Sequence, residues 1–316
     1  MSPTAPPSGR LRGGPASRQS ASSATTLLAM VLALRPKQWL KNVLVFVAPA
    51  AAGTLSQGAV LSKALVAFAA FSMVASGLYL INDIRDIDAD RLHPRKSLRP
   101  IAAGLVSVPL AIAMAAVLVV AGLVLGTLAA QWQLGVTLGI YAIITLAYTF
   151  RLKTEPVIEL ACVASGFVLR ATGGGAATGT RLSVWFVVVI SFGALFLVAG
   201  KRLAEMPTDA NPGERRAVLA EYTVGFLQAT VTLAATISIA AYCLWAFETT
   251  GLVSRAHLSP VWIQLTVVPV VLGALHVLLL LFRGEGSAPE ELAYRDRTLQ
   301  VIGVVWLALM LIGLYG

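Results

Sequence analysis

Asp83, Asp86 and Asp90 stand at i, i+3 and i+7 where an apolar run gives way to charge, in the stretch LINDIRDIDADRLHP that begins at Leu80. At 100° per residue a helix brings these three carboxylates within about 60° of one another and turns Asp88 well away. Clustered carboxylates at the edge of an apolar segment repel one another and are costly beside lipid. A divalent cation removes that cost. Hard oxygen donors suit magnesium, which keeps waters and bridges one or two carboxylates to a substrate phosphate. Asn82 adjoins the group at the membrane boundary. Pairing with Arg85, Arg91 and Arg95 would explain a mixed-charge loop, but not a spacing that starts inside the apolar edge.

Bases with a claim on phosphate recur along the chain. In RPKQWLKN, Lys37 and Lys41 are i, i+4 neighbours ahead of Asn42, and the free amides of a helix start also favour phosphate. A basic interfacial anchor with Trp39 at headgroup depth explains the same residues. Tyr148, Arg151 and Lys153 close one apolar run, and Glu155, Pro156 and Glu159 open the next, with Gly166 and Arg170 on the same face. An arginine inside a span is a functional candidate. Arg170 lies about 16 Å along the helix from Glu159, so the two cannot pair directly.

The elements that carry these residues are membrane helices. Of the 316 residues 57% are hydrophobic and 12% charged, half the usual charge of soluble domains, about 25%. At about 20 apolar residues per crossing, nine spans are expected: 38–54, 61–82, 107–129, 132–150, 156–176, 183–200, 223–246, 261–282 and 298–315. The count falls to eight if the first is re-entrant. Residues 25–35 are too short to span and suit the interface. Residues 1–24, rich in Ser, Pro, Gly and Arg, read as a disordered tail rather than a signal peptide. Cys162 and Cys243 both lie in apolar runs, which argues against a disulfide framework. The fold class is therefore an all-α polytopic membrane protein with one domain over 25–316. Lysine and arginine crowd every second connection, which places the N-terminus and the acidic cluster in the cytoplasm and the C-terminus outside.

Asn82-Asp83-x-x-Asp86-x-x-x-Asp90 resembles the NDxxDxxxD motif of the UbiA superfamily of intramembrane prenyltransferases, and it ends the second span as it does there. That resemblance covers essentially residues 30–316. It implies nine helices, a cytoplasm-facing cavity and magnesium gripping a diphosphate. The superfamily's second motif, DxxxD after the sixth helix, is replaced here by Lys201-Arg202-Leu203-Ala204-Glu205. Fewer acids and more bases point to a ligand with additional anionic groups. RPKQWLKN, NDIRDIDADRLHP, LKTEPVIELA, SGFVLRATGG and VAGKRLAE together resemble one actinobacterial subgroup. Its members transfer 5-phosphoribose from phosphoribosyl diphosphate (PRPP) to decaprenyl phosphate, for cell-wall arabinan synthesis.

The resemblance implies Asp83, Asp86 and Asp90 as catalytic residues and Asn82 and Glu205 beside them in the metal set. It implies phosphate contacts from Lys37, Lys41, Asn42, Arg91, Lys96, Arg99, Tyr148, Lys153, Glu159, Arg170, Lys201 and Arg202. The acceptor phosphate is already an anion, so no catalytic Ser, Cys or His is required, and His93 is not expected to act. No soluble-type PRPP loop of paired acids running into Thr-Gly occurs. The expected partners are PRPP, a polyprenyl phosphate and the bilayer of a bacterial cell membrane, with room for a homo-oligomer and no call for nucleic acid. Two other readings share the composition. A prenyltransferase acting on an aromatic acceptor would want the second acid pair. A transporter or flippase would want charged or broken segments near the midplane, for which Pro269 and Gly273 are the only hint.

Overall fold

The structure is a computed structural model that describes residues 23–206, 217–255, 261–284 and 295–315 together with Leu292. The expected tail falls outside these residues, apart from its last two positions. Helix α1 (Ser23–Ala33) leads to a 3₁₀ helix (Pro36–Phe46) that runs on into α2 (Val47–Ala51). Then come α3 (Gly58–Arg85), α4 (Ile87–Leu92), α5 (Val108–Ala129), α6 (Trp132–Phe150), α7 (Ile158–Thr178) and α8 (Val184–Ala204). The last four are α9 (Val224–Arg255), α10 (Val261–Leu265), α11 (Val267–Phe282) and α12 (Arg297–Tyr315).

Among the described residues, eight helical segments are long and apolar enough to cross a membrane, α10 and α11 counting as one. The protein is a multi-pass membrane protein. The first expected span is different in kind, because most of it is 3₁₀ helix. At a rise of about 2.0 Å per residue there and about 1.5 Å in α2, the sixteen residues from Pro36 to Ala51 reach roughly 30 Å, a bilayer core's thickness. They run antiparallel to α3: Trp39 Nε1 donates to Ser76 Oγ (3.0 Å), Asn42 Nδ2 donates to Ser72 Oγ (2.9 Å), and Phe46 meets Phe68. Three residues of a 3₁₀ helix and four of an α-helix both advance about 6 Å, which keeps this register. The segment ends at the far side, where the Tyr315 hydroxyl donates to the Ala50 carbonyl. The segment thus has the length of a further crossing, in the form of a stretched helix.

Three residues per turn divide that helix into stripes. Pro36, Trp39, Asn42 and Val45 form the inward one, and Lys37, Leu40 and Val43 are exposed. Gly174 makes the inward approach possible, since a Cβ there would sit 1.8 Å from the Val45 carbonyl oxygen. Helix α3 is the central span, with 61% of its apolar window buried against at most 44% in any other. It packs most extensively on α5, and α8 does so on α9. The eighth span breaks at Thr266, ahead of Pro269, whose missing N–H cannot bond back to Leu265.

Candidate functional site: a carboxylate cavity ringed by bases

Helix α3 stops at Arg85 and α4 restarts at Ile87, with Asp86 between them at φ −92° and ψ 8°. Helical phase survives the join, because Asp86 N–H bonds Asn82 O and Asp90 N–H bonds Asp86 O. Asp83 and Asp90 are buried, at 2% and 3% exposure, whereas the Asp88 side chain is 92% exposed and lies 3.6 Å from Arg91. The arrangement of the four aspartates matches the helical spacing of the sequence.

Each inward carboxylate meets a cation from another segment. Arg35, between α1 and the 3₁₀ helix, donates to Asp83 Oδ1 and lies over the Tyr79 ring at 5.0 Å. Arg99 Nη1 donates to Asp83 Oδ1 (3.1 Å) and to Asp90 Oδ2 (2.6 Å). Lys153 Nζ donates to Asp86 Oδ1 (2.8 Å), and Asn82 Nδ2 reaches the other oxygen of Asp86 at 3.3 Å. The loop that delivers Lys96 and Arg99 is folded by His93, whose Nδ1 accepts from the Arg95 and Lys96 amides. A cavity of about 460 Å³ adjoins them, lined by Arg35, Tyr79, Asn82, Asp86, Lys96, Arg99, Tyr148 and Lys153, while the buried Asp83 and Asp90 reach it only through Arg35 and Arg99.

Tyr148 also lines a second cavity of about 200 Å³, with Lys41, Lys201, Arg202 and Phe167. The two polar spaces are neighbours across one tyrosine ring. Among the described residues no three acidic, His or Cys side chains are already gathered as a metal site. The donors still fit a hard cation that takes one or two protein carboxylates and completes its shell from phosphate and water. One Arg99 nitrogen already bridges Asp83 and Asp90, so a small dication in its place would meet both.

Several residues expected to hold phosphate or metal lie away from both cavities. In a 3₁₀ helix positions i and i+4 lie about 120° apart, so Lys37 faces outward and only Lys41 reaches a cavity. Glu159 is fully buried and holds Arg202 through both oxygens, at 2.8 and 2.9 Å, and Glu205 takes the third nitrogen at 3.0 Å. This strut joins α7 to α8, so Glu159 faces an arginine and not a phosphate. Arg170 donates to Asn42 Oδ1 (2.6 Å), the Tyr141 hydroxyl (2.9 Å) and the Gly166 carbonyl, tying α6, α7 and the 3₁₀ helix together. Asn42 and Arg170 are both buried and line neither cavity. Arg91 turns to Asp88 and to the Ala102 carbonyl (3.4 Å), outside the cavity.

Arg35, Tyr79, Thr145 and Thr149 line the larger cavity without having been singled out in the sequence. A signal existed for three of them. Tyr79 is i−4 from Asp83, and Thr145 and Thr149 share a helical face with Tyr148. For Arg35 there was only the Arg-Pro junction, which the following proline steers away from α geometry. It adopts φ 55° and ψ 60° there.

The model of the UbiA prenyltransferase family matches residues 22–301. A decaprenyl-phosphate phosphoribosyltransferase of Corynebacterium glutamicum is 41% identical over 90% of this chain and 86% of its own length. One from Mycobacterium tuberculosis is 41% identical over 90% of this chain and 94% of its own. A solved UbiA homolog from Archaeoglobus fulgidus, bound to GPP and Mg2+, superposes with a TM-score of 0.68 at 18% identity, over 90% of this chain and 98% of that one. With motif, helical architecture and sequence in agreement, the chain belongs to the UbiA prenyltransferase family.

Proposed function

We propose that this protein transfers the 5-phosphoribosyl group of PRPP to a polyprenyl phosphate, decaprenyl phosphate first among them, and releases diphosphate. The observation that carries this reading is the second, basic cavity beside the carboxylate site. Where the UbiA resemblance implies a second acid pair, this chain has Lys201 at the cavity and Arg202 tied to Glu159 and Glu205 behind it. A ligand with anionic groups at both ends suits the pair of cavities better than a prenyl diphosphate does. The relatives named as decaprenyl-phosphate phosphoribosyltransferases support the same assignment.

Asp83 and Asp90, with Asp86 and Asn82 at hand, would hold Mg2+ through hard oxygens. When bound it supplies Lewis-acid stabilisation of the departing diphosphate. Arg35, Lys96, Arg99 and Lys153 border the space where phosphate oxygens would lie, as charge-assisted donors. Lys41 and Lys201 offer positive charge to the remaining phosphate groups. The lipid phosphate oxygen attacks C1 of ribose as the bond from C1 to the diphosphate oxygen breaks, so the nucleophile needs no general base. An apolar groove of about 580 Å³, bordered by Ile144, Leu160, Val168, Leu195 and Phe226, offers a bed for part of the polyprenyl chain. The lysine and arginine distribution supports a reading in which the carboxylate cavity opens to the cytoplasmic side of a bacterial inner membrane.

Purified protein with Mg2+ would be given labelled PRPP and decaprenyl phosphate, or a labelled prenyl diphosphate and an aromatic acid. Label in lipid is expected from the first pair alone. Product from the second pair alone would replace this reading with prenyl transfer.

A further inference from the structure

We propose that Arg35 is a donor-binding residue held in reserve by Asp83, and that through it the divalent metal and the polyanionic donor bind this site strongly only together. The inference rests on the phosphoribosyl reading above for the identity of the donor, but not for the ion-pair exchange itself. Three inward carboxylates, Asp83, Asp86 and Asp90, face three cations, Arg35, Arg99 and Lys153. These three carboxylates are matched by cations before any ligand arrives, and Lys96 lines the same cavity beside them.

Two of the three pairs are unequal in exposure. Asp83 and Asp90 are buried, with side chains 2% and 4% exposed, whereas Asp86, at 27%, already lines the cavity beside Lys153. Arg35, Arg99 and Lys153 are 23%, 27% and 33% exposed, and all three line the larger cavity. A modest turn of each cation therefore carries its charge from carboxylate to cavity, while the carboxylates stay where they are. Arg35 has a platform for such a turn in the Tyr79 ring, which also lines that cavity. Its backbone is set just ahead of Pro36, in the left-handed region that closes α1 and starts the 3₁₀ helix.

Consider each ligand alone. A dication entering by itself displaces guanidinium groups that then face one another without anions. A diphosphate entering by itself draws the cations away and leaves buried carboxylates uncompensated, which is strongly unfavourable. Entering together, the metal takes the carboxylates and the phosphates take the freed cations. Every charge then keeps a partner. Linkage requires that each ligand raise the other's affinity by the same factor.

Mn2+ serves as a spin probe for the metal, and its binding can be followed by electron paramagnetic resonance without turnover. The probes are Mn2+ alone, Mn2+ with inorganic diphosphate, and Mn2+ with PRPP, on full-length protein in detergent or nanodiscs. Mn2+ affinity is expected to rise on the order of 100-fold with either anion. Arg35→Gln is expected to tighten Mn2+ binding in the absence of anion and to shrink the coupling roughly tenfold, since removing the competing cation frees Asp83. Arg35→Lys should restore most of the coupling. A merely structural arginine would leave the Mn2+ affinity of the correctly folded variant unchanged or weaker. Tight Mn2+ binding to wild-type protein that ignores both anions would overturn the proposal, even if no Arg35 variant folds. Weaker Mn2+ binding by Arg35→Gln would overturn it as well. Coupling to diphosphate without any to PRPP would leave the exchange standing and count against the phosphoribosyl reading.

Discussion

Arg202→Met separates a strut from a phosphate clamp. Arg202 and Glu159 are 2% and 0% exposed at their side chains and share two hydrogen bonds of 2.8 and 2.9 Å. Methionine preserves much of the stem's packing but leaves the Glu159 carboxylate with no countercharge in the wall between α7 and α8. Breaking a buried pair from one side costs about 3–5 kcal/mol. Domains of 150–250 residues lose roughly 2–4 °C of Tm per kcal/mol, so a fall on the order of 10 °C is expected. The double variant Glu159→Leu with Arg202→Met removes both charges and should recover at least half of that loss. Intrinsic-fluorescence melting in nanodiscs gives Tm, and equilibrium binding of labelled PRPP gives affinity on the same samples. The strut account expects a large fall in Tm and a double variant that is rescued. An unchanged Tm with strongly weakened PRPP binding would refute it and make Arg202 a ligand of the substrate.

Other substitutions probe separate parts of the account. Asp83→Asn and Asp86→Asn should lower transfer by at least about 100-fold, the scale of losing an electrostatic contact to a transition state, whereas exposed Asp88→Asn should stay near wild type in the same turnover assay. Lys41→Ala should weaken PRPP or lipid-phosphate binding measurably, while Lys37→Ala, on the outward stripe of the 3₁₀ helix, should not; equal effects would indicate an α-helical first span. Gly174→Ala places a methyl 1.8 Å from the Val45 carbonyl oxygen, a contact that forces the 3₁₀ helix off α7. Its Tm should drop by several degrees, since overpacking costs about 1–3 kcal/mol, and Lys41 should be displaced enough to raise KM.

What could be read beforehand was whatever obeys one helical period. The common face of Asp83, Asp86 and Asp90 follows from 100° per residue, and the outward turn of Asp88 follows from the same rule. Span positions were legible for the same reason, and α6 begins and ends where hydropathy placed it. The first span failed that test, since nothing in RPKQWLKN announces three residues per turn, and the paired lysines were assigned to one face. The tertiary partners of buried charges were also beyond reach. Distance along α7 correctly kept Arg170 from Glu159, but only the packed fold shows that Asn42 answers one and Arg202 the other. Arg35 was missed because it lies in a junction with no period at all.

The central claim is that phosphoribose, and not diphosphate or a prenyl group, changes hands at the carboxylate cavity. Position-specific label in PRPP tests this most directly. With label in the 5-phosphate of one sample and in the β-phosphate of another, the account predicts that the first label moves to the decaprenyl phosphate lipid. The second should leave as inorganic diphosphate in equal amount, and both transfers should vanish in Asp83→Asn. Lipid that carries the β-phosphate label, or transfer that survives Asp83→Asn unchanged, would contradict it.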